Sequence, residues 1–247
     1  MKLCGIDINC PVLADLLGQD KTCMVVTVNA EAIVRSQHDG RLREIINHSV
    51  TTIDGQIPLW LYKLVHPQEK IEKISGSDLI YILAEWAQKK RKRIFLLGGK
   101  ESSNLQAIEK LRATYEGLQV NGFSPQWHPY PFPESTDSDI LSRIASDKPH
   151  ILFVGFGMGK QEFWEYDHLE LLKSEGIEMI IGCGGTFEFV SGQIKRAPKL
   201  IQNMGLEGFY RLGQEFKWFR IKRLLLSFKI FYYFVKYHIF KSVSTSK

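Results

Sequence analysis

The sequence predicts an α/β protein: a Rossmann-like, mainly parallel sheet flanked by helices, followed by a basic amphipathic helical appendage at the C-terminus. Three observations predict it. Short apolar runs alternate with longer stretches of helical periodicity, glycine-rich loops follow several of those runs, and the charge balance changes sign near residue 195. Strands alternating with helices of about 10–15 residues imply βαβ units and hence parallel pairing.

Taken in order, strands are expected at residues 24–28, 94–97, 118–122, 151–154 and 179–181. Helices are expected over 30–47, 78–90, 102–115, 137–146 and 161–174, where apolar residues recur every three to four positions. Open parallel sheets bind ligands at the carboxyl ends of their strands. That rule singles out Thr27 and Asn29, Gly98-Gly99-Lys100, residues 155–162 and residues 182–188. The three prolines of 127–134 (WHPYPFPE) mark a loop that could serve as a lid or an interface. No internal repeat or low-complexity tract interrupts the pattern.

A chain of 247 residues holds one α/β domain of ordinary size plus an appendage. With 44% hydrophobic and 24% charged residues it is a folding sequence, not a disordered one. Cys4, Cys10, Cys23 and Cys183 lack metal-ligand spacing and read as free thiols of a reducing compartment. Acids stand where a signal peptide needs an apolar core, so a cytoplasmic location is expected.

Residues 195–247 hold twelve Lys or Arg against two acids, Glu207 and Glu215, a net +10. Since the whole chain is +5, the remainder is −5. Within the basic segment, Leu224, Leu225, Phe228, Phe231, Tyr232, Val235 and Ile239 form an apolar arc of roughly 120° on a helical wheel. Lys222, Lys229 and Lys236 align on another side. A helix that reads nucleic acid would carry Arg, Asn and Gln there, so no nucleic-acid partner is expected. The span is also short, with lysines that are costly at a bilayer centre. Two readings stay open: a helix lying in an anionic membrane surface, which the interleaved aromatics and lysines favour, or a helix docked on the protein's own core. The expected division is a body of residues 1–195 and an appendage of residues 196–247.

Several residues carry two readings each. Asp54, in TTIDGQIP, also fits an Asp-Gly turn. Asn29 suits a helix cap, and Thr27 precedes it at the strand end. Gly155-x-Gly157-x-Gly159-Lys160 opens a helix bearing Gln161, where amides and a lysine suit a diphosphate. The spacing differs from Gly-x-Gly-x-x-Gly, which disfavours a dinucleotide oxidoreductase. Arg196, before Ala197-Pro198, is either a diphosphate cation or a solvated charge. Asp137-Ser138-Asp139 has the spacing of a divalent-cation site, but a helix capped by Ser135 or Thr136 accounts for its acids better. No metal and no cofactor is expected.

Thr27-Val28-Asn29, Asp54-Gly55, Gly76-Ser77-Asp78-Leu79, Phe95 to Gly99, Gly155-Phe156-Gly157, Lys160-Gln161-Glu162, Gly182 to Phe187 and Arg196-Ala197-Pro198 follow one another in a telling order. In that order and spacing the chain resembles the WecG/TagA/CpsF glycosyltransferases, glycosyltransferase family 26, over nearly its whole length. The resemblance implies a metal-independent, inverting transferase with Asp54 as general base and Thr27 and Gln161 as further catalytic residues. It implies substrate contacts from Asn29, Gly55, Gly157, Lys160, Gly182, Gly184, Gly185, Glu188, Arg196, Arg211, Arg220 and Arg223. Of the C-terminal cations, Arg211 matches within Tyr210-Arg211-Leu212, whereas Arg220 and Arg223 match by role. The chain departs from the family at Gly159 (usually Pro), Glu188 (Asp), Gly208 (Trp) and Phe216 (Pro).

The implied donor is a UDP-sugar of N-acetylmannosamine, its uronic acid or glucose. The implied acceptor is a polyprenyl-diphosphate-linked sugar at the inner face of the plasma membrane, where bacterial surface or extracellular polysaccharide is built. Residues 1–195 would form the catalytic domain, a homo-oligomer is possible, and truncation near residue 195 would cost activity more than fold. The departures motivate the alternative of a non-catalytic membrane scaffold in a polysaccharide-assembly complex.

Overall fold

The computed structural model describes residues 1–19, 22–214 and 216–240. Its strands, in chain order, are β1 (Lys2–Leu3), β2 (Ile6–Asp7), β3 (Cys23–Val28), β4 (Val50–Ile53), β5 (Arg93–Gly98), β6 (Gln119–Phe123), β7 (Ile151–Gly155) and β8 (Met179–Gly182). β1 and β2 form a small antiparallel ribbon. The others make a six-stranded parallel sheet, order β4-β3-β8-β7-β5-β6, flanked by helices as the sequence predicts. All five expected strands are present. β4 was not expected, because VTTI shows neither an apolar run nor clean alternation. It is buried nonetheless: Thr51 Oγ1 donates to the Asp7 carbonyl (2.7 Å) and Thr52 Oγ1 to that of Ile74 (3.0 Å), which satisfies both hydroxyls.

The chain divides into two compact units. A central unit comprises Gln19–Val26 and Ser75–Lys195; a terminal unit comprises Met1–Gly18, Thr27–Ile74 and Arg196–Lys247. In the central unit, parallel registers pair Gly98 with Gly155 and Val154 with Gly182, so the glycine-rich turns leave the sheet at one edge. Phe95, Leu97, Leu152, Val154 and Ile180 pack on Ile140, Ile144, Trp164 and Leu172.

Three helix expectations need correction. Residues 30–47 form two helices, Ala30–Ser36 and Gly40–His48, because Asp39 breaks the first run and caps the second by accepting from Leu42 N (2.9 Å). Residues 161–174 likewise split at His168 into Lys160–Asp167 and Leu169–Ser174. The helix Glu134–Asp147 starts behind Pro133 with no side-chain cap, so neither Ser135 nor Thr136 closes it. Its acids serve packing: Asp137 accepts from Trp164 Nε1 (2.6 Å) and pairs with His168 Nε2 (2.7 Å), while Asp139 holds Arg143 (2.9 Å). Among the described residues no group of three or more His, Cys, Asp or Glu could hold a metal ion.

In the terminal unit, the expected single amphipathic helix breaks at Lys229 into Trp218–Phe228 and Ile230–Val235, followed by a π-helical turn, Lys236–Phe240. Lys241 and Lys247 of the basic tail, like Glu215, lie outside the described residues. Two faces separate. Ile230, Tyr233 and Phe234 are buried, with Tyr233 OH on His38 Nε2 (2.7 Å) and Cys4 N donating to His238 Nε2 (3.0 Å). Leu225, Phe228, Phe231, Tyr232, Val235 and Ile239 are exposed, Tyr232 at 64%. The segment therefore docks on its own unit and still presents most of the apolar arc to solvent. Truncation near residue 195 would remove this docked layer, Ile230, Tyr233 and Phe234 included, from the terminal unit. No described helix is long and apolar enough to cross a membrane.

Candidate functional site

The terminal unit contains a cavity of about 230 Å³ whose wall comes from three stretches of chain. Asn29 and Glu31 follow β3; Asp54, Gly55, Gln56, Ile57 and Pro58 follow β4; Gln202, Gly205, Glu207, Gly208, Arg211, Arg220, Arg223, Leu224 and Ser227 come from the C-terminal segment. Six of the residues singled out by sequence, Asn29, Asp54, Gly55, Arg211, Arg220 and Arg223, thus share one wall.

Backbone geometry explains how Asp54 arrives there. Its amide donates to the Val28 carbonyl (2.9 Å), which fixes it just past the carboxyl ends of β3 and β4. Gly55 then turns with φ +93°, a conformation a side chain disfavours, and becomes the N-cap of the helix Gln56–Val65. Pro58 stands in that helix's first turn, where no amide is missed. The chain thus turns at Gly55 directly after Asp54, which lines the cavity. Asn29 Oδ1 accepts from Ala32 N (2.9 Å), so the oxygen of its carboxamide is engaged as a helix cap.

Three arginines and three carboxylates, Glu31, Asp54 and Glu207, line the cavity. Arg211 pairs with Glu207 one helical turn away, and Arg223 pairs with Glu31. Gly208 fits its place: a Cβ there would lie 3.1 Å from Leu224 Cδ1, in the same wall. The tryptophan usual at this position in the family would need Leu224 to move. Phe216 is largely exposed.

The central unit carries the glycine loops. Gln161, 3% exposed, accepts from Gly157 N (3.2 Å) and Gly184 N (3.0 Å) through Oε1 and donates to Glu162 Oε1 (2.9 Å). One amide thereby ties both loops together. Gly159 has φ +89° and donates to Glu162 Oε2 (2.6 Å). Proline could supply neither the angle nor the N–H, so the departure from the family comes with its own lock on the turn. A Cβ on Gly182 would sit 2.6 Å from Gln161 Nε2, whereas none of the described residues lies within 4 Å of one on Gly157 or Gly184. The last two glycines therefore border open space. Gly185 is exposed, and a Cβ on it would meet Glu188 Oε2 at 3.4 Å.

Lys160 donates to the His128 carbonyl (2.9 Å) amid the rings of Trp127, Phe132 and Phe156, which anchors the proline-rich loop; burial lowers its pKa. Thr27 is buried in β3 and Arg196 half-buried, and neither is among the cavity-lining residues. Glu31, Gln56 and Gln202 line the cavity without having been singled out by sequence, and Glu207, the acid before the Gly208 departure, joins them. Glu31 had a signal, an acid in the otherwise apolar AEAIV; Gln56 and Gln202 had none.

Glu165 is fully buried beside Gln161 and Gly182, and neither carboxylate oxygen has a hydrogen-bond partner among the described residues. Burial, reinforced by Glu162, pushes its pKa well above the ordinary 4.5. The folded chain then keeps a proton that the unfolded chain loses above about 4.5, so stability falls as pH rises from there. Glu165→Gln is expected to raise the melting temperature at pH 8 by a few degrees and to flatten the fall between pH 5 and 8; thermal melts at stepped pH check both.

The chain matches the model of the glycosyl transferase WecG/TagA/CpsF family over residues 2–244 and belongs to that family. It is accordingly a glycosyltransferase of polysaccharide biosynthesis, with a sugar donor and an acceptor as its substrates.

Proposed function

We propose that the protein is an inverting transferase that moves a sugar of the N-acetylmannosamine, N-acetylmannosaminuronic acid or glucose type from UDP to a polyprenyl-diphosphate-linked sugar. The observation that carries this reading is the meeting of Asp54 with Arg211, Arg220 and Arg223 in one cavity. In the proposed step the acceptor hydroxyl gives its proton to Asp54 as its oxygen bonds to the anomeric carbon. The bond from that carbon to the diphosphate oxygen breaks with its electron pair, and UDP leaves. A single displacement inverts the centre without a glycosyl-enzyme. Guanidinium groups suit the negative charge gathering on the departing diphosphate. Thr27, Gln161, Lys160, Gly157, Gly182, Gly184, Gly185, Glu188 and Arg196 are proposed to serve the nucleotide and the sugar, Gln161 by holding the two glycine loops in register.

Thermal-shift screening against UDP-sugars, followed by product analysis with a synthetic prenyl-diphosphate glycoside, tests the reading. Stabilisation by one donor, release of UDP and an inverted glycosidic bond are expected. No stabilisation and no product with any donor would favour the scaffold.

The exposed arc supports a peripheral location on an anionic, cytoplasmic membrane face, with Lys222, Lys229 and Lys236 beside the aromatics. Replacing Phe231 and Tyr232 together by Ser is expected to weaken binding to vesicles containing phosphatidylglycerol by about tenfold or more. Vesicle co-sedimentation measures it, and unchanged binding contradicts a lipid role for the arc.

A further inference from the structure

We infer that Glu31 is a positioning residue for transfer: its buried carboxylate fixes the guanidinium of Arg223 in the wall that carries Asp54. The inference rests on the reading of that cavity as the reaction centre. Glu31 lies in the first turn of the helix Ala30–Ser36 and is 4% exposed, although it is an acid. Its Oε2 accepts from Arg223 Nε (2.7 Å) and pairs with Nη2 (2.6 Å), while Oε1 pairs with Arg35 Nη2 (2.8 Å).

Both arginines are nearly half exposed at their side chains, so the acid is the buried partner. A buried carboxylate needs compensation, and here two cations provide it. Arg35 is the local one, four residues on in the same helix. Arg223 comes from the helix Trp218–Phe228, 192 positions away, and lines the cavity. Because Arg35 keeps Glu31 compensated, Arg223 can turn part of its charge to a cavity anion without stranding a buried acid. Glu31 takes the Nε edge and one Nη2 of the five-hydrogen fork, which orients the plane and leaves the other donors for an oxyanion. A freely rotating arginine would have to be ordered in each turnover; this one is ordered in advance.

Glu31→Gln keeps the shape and removes the charge. It is expected to lower kcat about 10–100-fold while donor KM changes less than about threefold, because the arginine is misplaced for the departing charge. Glu31→Asp, which retains the charge on a shorter stem, should recover part of the loss and serves as the readout if Glu31→Gln does not fold. Arg223→Gln should match Glu31→Gln, and the double variant should be no slower than Arg223→Gln alone. Wild-type kcat in folded Glu31→Gln, or losses that multiply in the double variant, would overturn the inference. Full activity of Asp54→Asn assayed alongside would instead overturn the reading of the cavity itself.

Discussion

Asp54→Asn is expected to leave the chain folded, with donor binding unchanged, and to slow transfer by about 10²–10⁴-fold, the usual contribution of a positioned base. The amide keeps the size and the turn at Gly55, so any loss reports the missing proton acceptor. Neither of the other two carboxylates in the wall offers a ready substitute. Glu31 is bound by Arg35 and Arg223, and Glu207 by Arg211. Steady-state transfer, with donor affinity measured separately by calorimetry, checks both halves. A variant with wild-type kcat would remove Asp54 from the chemistry.

The second large effect is expected at Arg220. This cation was carried over from the family by role rather than by motif, since Phe216 follows Glu215 where a proline is usual. It nonetheless lines the cavity together with Asp54. Arg220→Gln removes charge while keeping length and polarity, and kcat should fall about 10²–10³-fold, the scale of losing one donor to a developing oxyanion. Donor KM should move far less, because the negative charge on the diphosphate peaks as UDP departs. A donor bearing a better leaving group should lose less. Equal losses with both donors would assign Arg220 to ground-state binding instead.

These two residues show how far the sequence was legible. β3, β5, β7 and β8 were readable because each is an apolar run closed by glycine or a polar residue, and β6 through the alternation of Leu118 and Val120 with Gln119 and Asn121. β4 was not, because two threonines satisfied by the Asp7 and Ile74 carbonyls are invisible without the partners. Asp54 could be found only through the family resemblance, since an Asp-Gly pair is an ordinary turn until the strand end beside it is known. Arg211 sat in a matching motif, whereas the places of Arg220 and Arg223 depend on how three helices near the C-terminus pack, which no local pattern encodes. The apolar arc from Leu224 to Ile239 reads in the sequence as the face of one helix. The helices break at Lys229, and Ile230, Tyr233 and Phe234, which lie on the side opposite the arc, face inward while the predicted arc stays outside. The resemblance implies a catalytic role for Gln161; its buried amide also clamps two loops, a role that needs both loops in view.

A crystal structure with a UDP-sugar and a non-reacting acceptor analogue is the most direct test. The account predicts the nucleophilic hydroxyl at about 2.6–3.2 Å from an Asp54 carboxylate oxygen, with the diphosphate facing the arginines of the same wall. An acceptor hydroxyl seated in a different cavity, out of reach of Asp54, would contradict it.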